Sequence, residues 1–127
     1  MQKYYTGVPN EKSMGYCRAV KAGNLIEVAG TSTGEGENGA VAAINNVYEQ
    51  CKLIFARIDI ALRNFDASSK NIIRTRIYVT DISQWQQVAK AYKEYLQDVE
   101  PVYTLVEVSK LLADHALVEI EVTAYME

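Results

Sequence analysis

Leu117-Val118-Glu119-Ile120-Glu121-Val122-Thr123-Ala124-Tyr125-Met126 has a period of two. Val118, Ile120, Val122, Ala124 and Met126 form one apolar row, and Leu117, Glu119, Glu121, Thr123 and Tyr125 form the other. Successive side chains of a strand point to opposite faces, so the first row predicts a strand packed on a core. The second row mixes leucine and tyrosine with two carboxylates. It reads either as a solvated face with cross-strand ion pairs or as a face turned toward a partner chain. Tyrosine and arginine suit interfaces that keep some polarity, which favours the partner.

Residues 71–80 read as a second strand of the same kind, dense in β-branched residues. Ile73, Thr75, Ile77 and Val79 are expected on its core side, with Arg74, Arg76 and Tyr78 on the other. A strand over 103–109 is expected to add Leu105 and Glu107 to that second face. Residues 16–20 and 25–29 are extended runs joined by Lys21-Ala22-Gly23-Asn24, a hairpin signal that adds Leu25 and Glu27. Residues 1–15 read as a short strand plus a loop, and 31–39 as a loop.

Two stretches change period. Ile44, Val47, Tyr48, Cys51, Ile54, Phe55, Ile58, Ala61, Leu62 and Phe65 recur at steps of three and four, predicting a helix over roughly residues 40–65. Asp81, with Gln84 three positions on, can cap a second helix whose stripe is Ile82, Trp85, Val88, Ala89, Tyr92 and Leu96. The order of elements predicts an α+β fold with both helices on one face of a mixed sheet, a single domain over residues 1–127.

The chain has 127 residues, 49% of them hydrophobic, which fits one cored domain and excludes a disordered class. No apolar run approaches the ~20 residues of a membrane helix, so no membrane association is expected. The residues Met1-Gln2-Lys3-Tyr4-Tyr5 lack the apolar core of a signal peptide, which predicts a cytoplasmic protein. Thirteen Lys+Arg against 16 Asp+Glu give a net charge of −3, with no pull toward phosphate backbones; no nucleic-acid partner is expected. Cys17 and Cys51 match no redox or metal spacing and are read as reduced thiols.

Few residues offer chemistry. The 34–39 segment, Gly-Glu-Gly-Glu-Asn-Gly, matches a dinucleotide fingerprint in letters, but Glu35 and Glu37 would oppose a pyrophosphate. It is read as a glycine-rich loop. His115 is the only histidine and lies in an apparent turn, so neither a histidine-based triad nor a metal site is expected. Glu119 and Glu121 share a strand face, and such a pair can raise one pKa and supply a general acid or base. Pairing with Arg74 and Arg76 across the sheet is the more economical account of them.

Three stretches read together carry a resemblance: Tyr16-Cys17-Arg18-Ala19-Val20 with Gly23 to Thr31, Asn71 to Asp81, and Pro101-Val102-Tyr103-Thr104-Leu105-Val106-Glu107-Val108 running to Val118-Glu119-Ile120-Glu121. They resemble the Rid family, the reactive intermediate deaminases also called the YjgF family, over nearly the whole chain. The resemblance implies a chorismate-mutase-like fold and a homotrimer with small-molecule clefts between subunits. The family's deaminases hydrolyse enamines and imines released by pyridoxal-phosphate enzymes, using no metal or cofactor of their own.

By the same resemblance Glu119 is the catalytic glutamate that positions water. Tyr16 is the aromatic wall of the cleft, and Arg18, Gly30, Thr31 and Tyr103 complete the expected ligand-binding set. Tyr103 stands two residues after the proline, where the deaminases carry an arginine that grips the substrate carboxylate. A phenol cannot offer a guanidinium fork. Arg18 is the nearest replacement cation. The implied activity is a cofactor-independent, deaminase-like hydrolysis of an imine, an enamine or a related metabolite. The alternative is a non-catalytic metabolite-binding, regulatory or chaperone-like trimer, with an endoribonuclease or translation-inhibiting role ranked last.

Overall fold

The computed structural model describes residues 1–34 and 45–127. Its elements are β1 (Gln2–Tyr4), α1 (Pro9–Met14), β2 (Ala19–Ala22), β3 (Leu25–Thr31), α2 (Val47–Arg63), β4 (Ile72–Val79), α3 (Trp85–Leu96), β5 (Val102–Glu107) and β6 (Val118–Tyr125). The strands form one sheet in the order β1-β2-β3-β6-β4-β5. Only β4 and β5 run parallel, as a strand–helix–strand crossover through α3 requires. The mixed sheet with α2 and α3 packed on one face is the α+β architecture the sequence predicts.

The core lies between those helices and the sheet. Ile54, Ile58 and Leu62 of α2 and Val88 of α3 meet Ile26, Ile77, Val118 and Ile120, all fully shielded from water. The last strand keeps its expected phase: Val118, Ile120, Val122 and Ala124 are buried. Gly23 takes φ 59° in the two-residue turn between β2 and β3, where Ala22 pairs with Leu25. Buried Gln50 ties the 115–117 loop to α2, donating to the His115 carbonyl at 3.0 Å and accepting from the Leu117 amide at 2.9 Å. His115 itself is exposed. Both cysteines are free thiols; Cys51 is buried, and burial pushes its pKa up to about 12.

Several expectations are corrected. Residues 9–14 form a helical turn rather than a loop, opened by Pro9, whose missing N–H costs nothing at that position. The long helix α2 begins at Val47, and residues 40–44 of the span expected for it lie outside the described residues. Asn45 takes φ 63° and Asn46 is an extended N-cap whose side chain accepts the Glu49 amide. Ile44 and residues 35–39 of the glycine motif lie outside the described residues. Asp81 caps a 3-10 turn, Ile82–Gln84, ahead of α3, and Ile82 and Trp85 are exposed instead of joining the stripe.

Two strand phases also differ. A register shift between Ile72 and Arg74 puts Ile72 in the core and turns Ile73 outward, 49% exposed. On β5, Tyr103 and Leu105 pair with Thr75 and Ile77, so Leu105 and Glu107 belong to the helix face rather than the open one. The open face instead carries Val102, Thr104 and Val106 beside Arg74, Arg76 and Tyr78.

Candidate active site

A left-handed Gly15, φ 77°, ends α1 and turns the chain toward β2. Tyr16 and Arg18 lie just ahead of that strand, although Arg18 continues its ladder: its carbonyl accepts the Ala29 amide at 2.9 Å. Arg18 is only 6% exposed. Its Nη1 donates to the Gly30 carbonyl at 2.9 Å and to Thr31 Oγ1 at 3.4 Å. Its Cζ stands 5.6 Å from the centroid of the Tyr16 ring, a cation–π distance.

A charge so shielded needs a counter-charge. Glu11 supplies it, with Oε2 3.8 Å from Arg18 Nε. The Glu11 carboxylate also accepts from Thr6 Oγ1 at 2.6 Å, the Thr6 amide at 3.2 Å and the Gly7 amide at 3.0 Å. Burial alone would raise its pKa. The Thr6 and Gly7 hydrogen bonds and the Arg18 charge outweigh burial and hold it below the ordinary carboxylate value.

Glu119 projects from β6 on the open face, opposite Tyr78 of β4. On its other side lies Gly30: a Cβ there would meet Glu119 Oε2 at 2.8 Å. Glycine is what lets the carboxylate rest on the β3 backbone. Burial raises the Glu119 pKa; Arg18 opposes the rise and Glu121 adds to it. Glu121 in turn accepts a hydrogen bond from the Tyr78 hydroxyl. Among the described residues of the chain, the expected pairing of these glutamates with arginine is absent. The ion pairs among the described residues are Arg18–Glu11, Lys52–Glu49 and Arg63–Asp59, and none uses Arg74 or Arg76.

Tyr16, Arg18, Gly30, Thr31 and Glu119 are thus brought into one neighbourhood, and Tyr103 is not. Its ring packs on Tyr92 of α3, on the opposite face of the sheet. Two members of the neighbourhood escaped sequence reading. Glu11 looked like a loop residue. Arg57 of α2 donates to the Ser32 carbonyl, and its pKa is lowered first by burial and then by Arg18. Its only signal was an arginine between Ala56 and Ile58, at the border of the apolar stripe. An open groove of about 750 Å³ adjoins the cluster, lined in part by Lys3, Tyr5, Lys12, Tyr16 and Cys17. Among the described residues, no group of three His, Cys, Asp or Glu is placed to hold a metal ion. A half-shielded carboxyl beside a second carboxylate and a buried guanidinium can hold a water or move a proton.

Fold and cluster together define an α+β protein of the YjgF type, with helices on one sheet face and an ionisable glutamate on the other. Comparison with known proteins agrees. The family model described as Endoribonuclease L-PSP matches residues 9–126. A crystal structure of a YjgF/YER057c/UK114 family member from Mycobacterium tuberculosis aligns with TM-score 0.88 at 38% identity, covering 98% of each chain. A RutC family protein of Pyrococcus abyssi is 32% identical over 88% of this chain and 87% of its own length. The 3-aminoacrylate deaminase RutC of Acinetobacter baylyi is 27% identical over 87% and 86%. The chain belongs to the Rid family, also named YjgF or RutC. No helix among the described residues is long and apolar enough to cross a membrane.

Proposed function

We propose that this chain is one subunit of a cytoplasmic homotrimer whose inter-subunit clefts bind a small metabolite, and that it hydrolyses an imine or enamine without metal or cofactor. Glu119 orients a water and takes its proton as the oxygen attacks the imine carbon. The nitrogen gains that proton to give a carbinolamine and then the hydroxyl proton as the C–N bond breaks, so that a carbonyl and ammonia leave. Tyr16 walls the cleft, and Gly30, Thr31 and Arg18 shape its floor. The observation that carries this reading is Glu119 itself: a carboxyl raised by burial and seated on Gly30.

The substrate is set by Tyr103. Where the family's deaminases carry a carboxylate-gripping arginine, this chain offers a phenol backed by Tyr92. The favoured substrate is therefore an imine with no carboxylate at that position. The same aromatic wall supports the second reading, a trimer that binds a metabolite and does not turn it over. A coupled assay separates them. An amino-acid dehydratase supplies 2-aminoacrylate or 2-iminobutyrate, an uncharged imine of similar size is tested in parallel, and carbonyl release is followed. Faster hydrolysis of the uncharged imine, lost in Glu119→Gln, supports the hydrolase. No acceleration of any imine removes it.

A further inference from the structure

On the reading of Glu119 as the acid–base group, we infer that Arg18, backed by Glu11, is a positioning residue: it clamps the Gly30–Thr31 peptide on which the Glu119 carboxylate rests. The ladder between β3 and β6 slips here. Val28 pairs with Val122 and Thr31 with Ile120, so three steps on β3 span two on β6. Such a bulge re-aims side chains but leaves backbone groups without their regular partners. Arg18 Nη1 takes the Gly30 carbonyl and reaches Thr31 Oγ1, which donates onward to the Ala29 carbonyl at 2.7 Å. The bulge is thus tied at each of its residues, and its glycine is the one whose side-chain space Glu119 Oε2 takes.

The guanidinium is committed in this role. Arg18 is 6% exposed, and among the described residues its Nε has no hydrogen-bond partner, only Glu11 at 3.8 Å. It acts on the site through the backbone and through its charge. The charged groups acting on Glu119 are Arg18 and Glu121, with Tyr78 opposite in the ladder.

The test reads Glu119 without needing turnover. In the full chain with 13C-labelled glutamate, the Glu119 side-chain carboxyl is titrated in wild type, Arg18→Gln and Arg18→Lys. Backbone amide exchange is measured alongside. Arg18→Gln should move the Glu119 titration to higher pH and speed exchange at Gly30 and Thr31 by at least about tenfold, the worth of one charge-assisted hydrogen bond. Arg18→Lys keeps a charge but not the fork, so it should move both in the same direction by less. A purely structural arginine would change exchange and leave the titration alone. Glu119 titrating as in wild type in both variants overturns the proposal, and if Arg18→Gln does not fold, Arg18→Lys decides it. Should the wild type hydrolyse no imine while the titration moves, the coupling stands and the hydrolase reading falls.

Discussion

Tyr103 meets Tyr92 edge-on, ring centroids 5.3 Å apart at 81°, on the helix face where the register of β5 against β4 puts it. Glu119 lies on the other face, with β4 between its strand and β5. On the proposed function, a ligand that touches both residues sits between two chains. The open face is also apolar where it should be wet: Leu25, Val102, Val106 and Tyr125 are each at least 39% exposed. The protein is expected to run as a trimer, three times 14.2 kDa, in light scattering. A monomer at micromolar concentration would remove the inter-subunit cleft.

Glu119→Gln should separate activity from stability. Turnover should fall by roughly 10²–10⁴-fold, the usual worth of a general acid–base group. Because burial raises the folded-state pKa, the native chain holds the Glu119 proton more tightly than the unfolded chain does. Stability from this group is present at low pH and is lost as pH rises from the unfolded value through the raised one. The variant should thus match wild type only below the ordinary carboxylate pKa and melt higher at neutral pH. Equal melting temperatures at pH 7 would contradict the burial cost.

Tyr103→Arg tests the substrate argument. The wild type should hydrolyse 2-aminoacrylate or 2-iminobutyrate weakly. The variant should gain on these carboxylate imines toward the ~100-fold that a charge-assisted pair is worth. Rapid turnover by the wild type would show that another cation already holds the carboxylate.

Glu11→Gln removes the counter-charge of a buried arginine and should cost about 3 kcal/mol in urea unfolding at neutral pH. The sign is opposite to that of Glu119. The Glu11 pKa is depressed, so its contribution is present above the unfolded value and is lost as pH falls through the folded one. The gap between variant and wild type should close in strong acid. A gap that persists there would mean that the ion pair is not its source.

The helices and β6 were legible because their periods are long and unbroken. Ile54, Ile58 and Leu62, and Val118, Ile120 and Val122, all fall where the pattern puts them. The phase of β5 was not. Val102, Tyr103, Leu105 and Val106 are apolar or aromatic on both sides, so alternation has nothing to grip, and only the parallel register with β4 sets the faces. Ile73 was misplaced because a bulge leaves no mark in a run of β-branched residues. At the site, Tyr16, Gly30 and Glu119 came from motif resemblance. Glu11 and Arg57 could not, since each joins the cluster only when distant segments meet.

The strand with both neighbours best buried is also the furthest along the chain. β6 sits between β3 and β4, so without residues 118–125 the sheet falls into two halves, each with an unpaired inner edge. The pairing of Leu25 with Tyr125 closes a long loop, and such non-local pairs are slow to form. Folding of this sheet therefore turns on a non-local pairing: the β2–β3 hairpin and the β4–α3–β5 crossover each keep an open inner edge until β6 pairs with both.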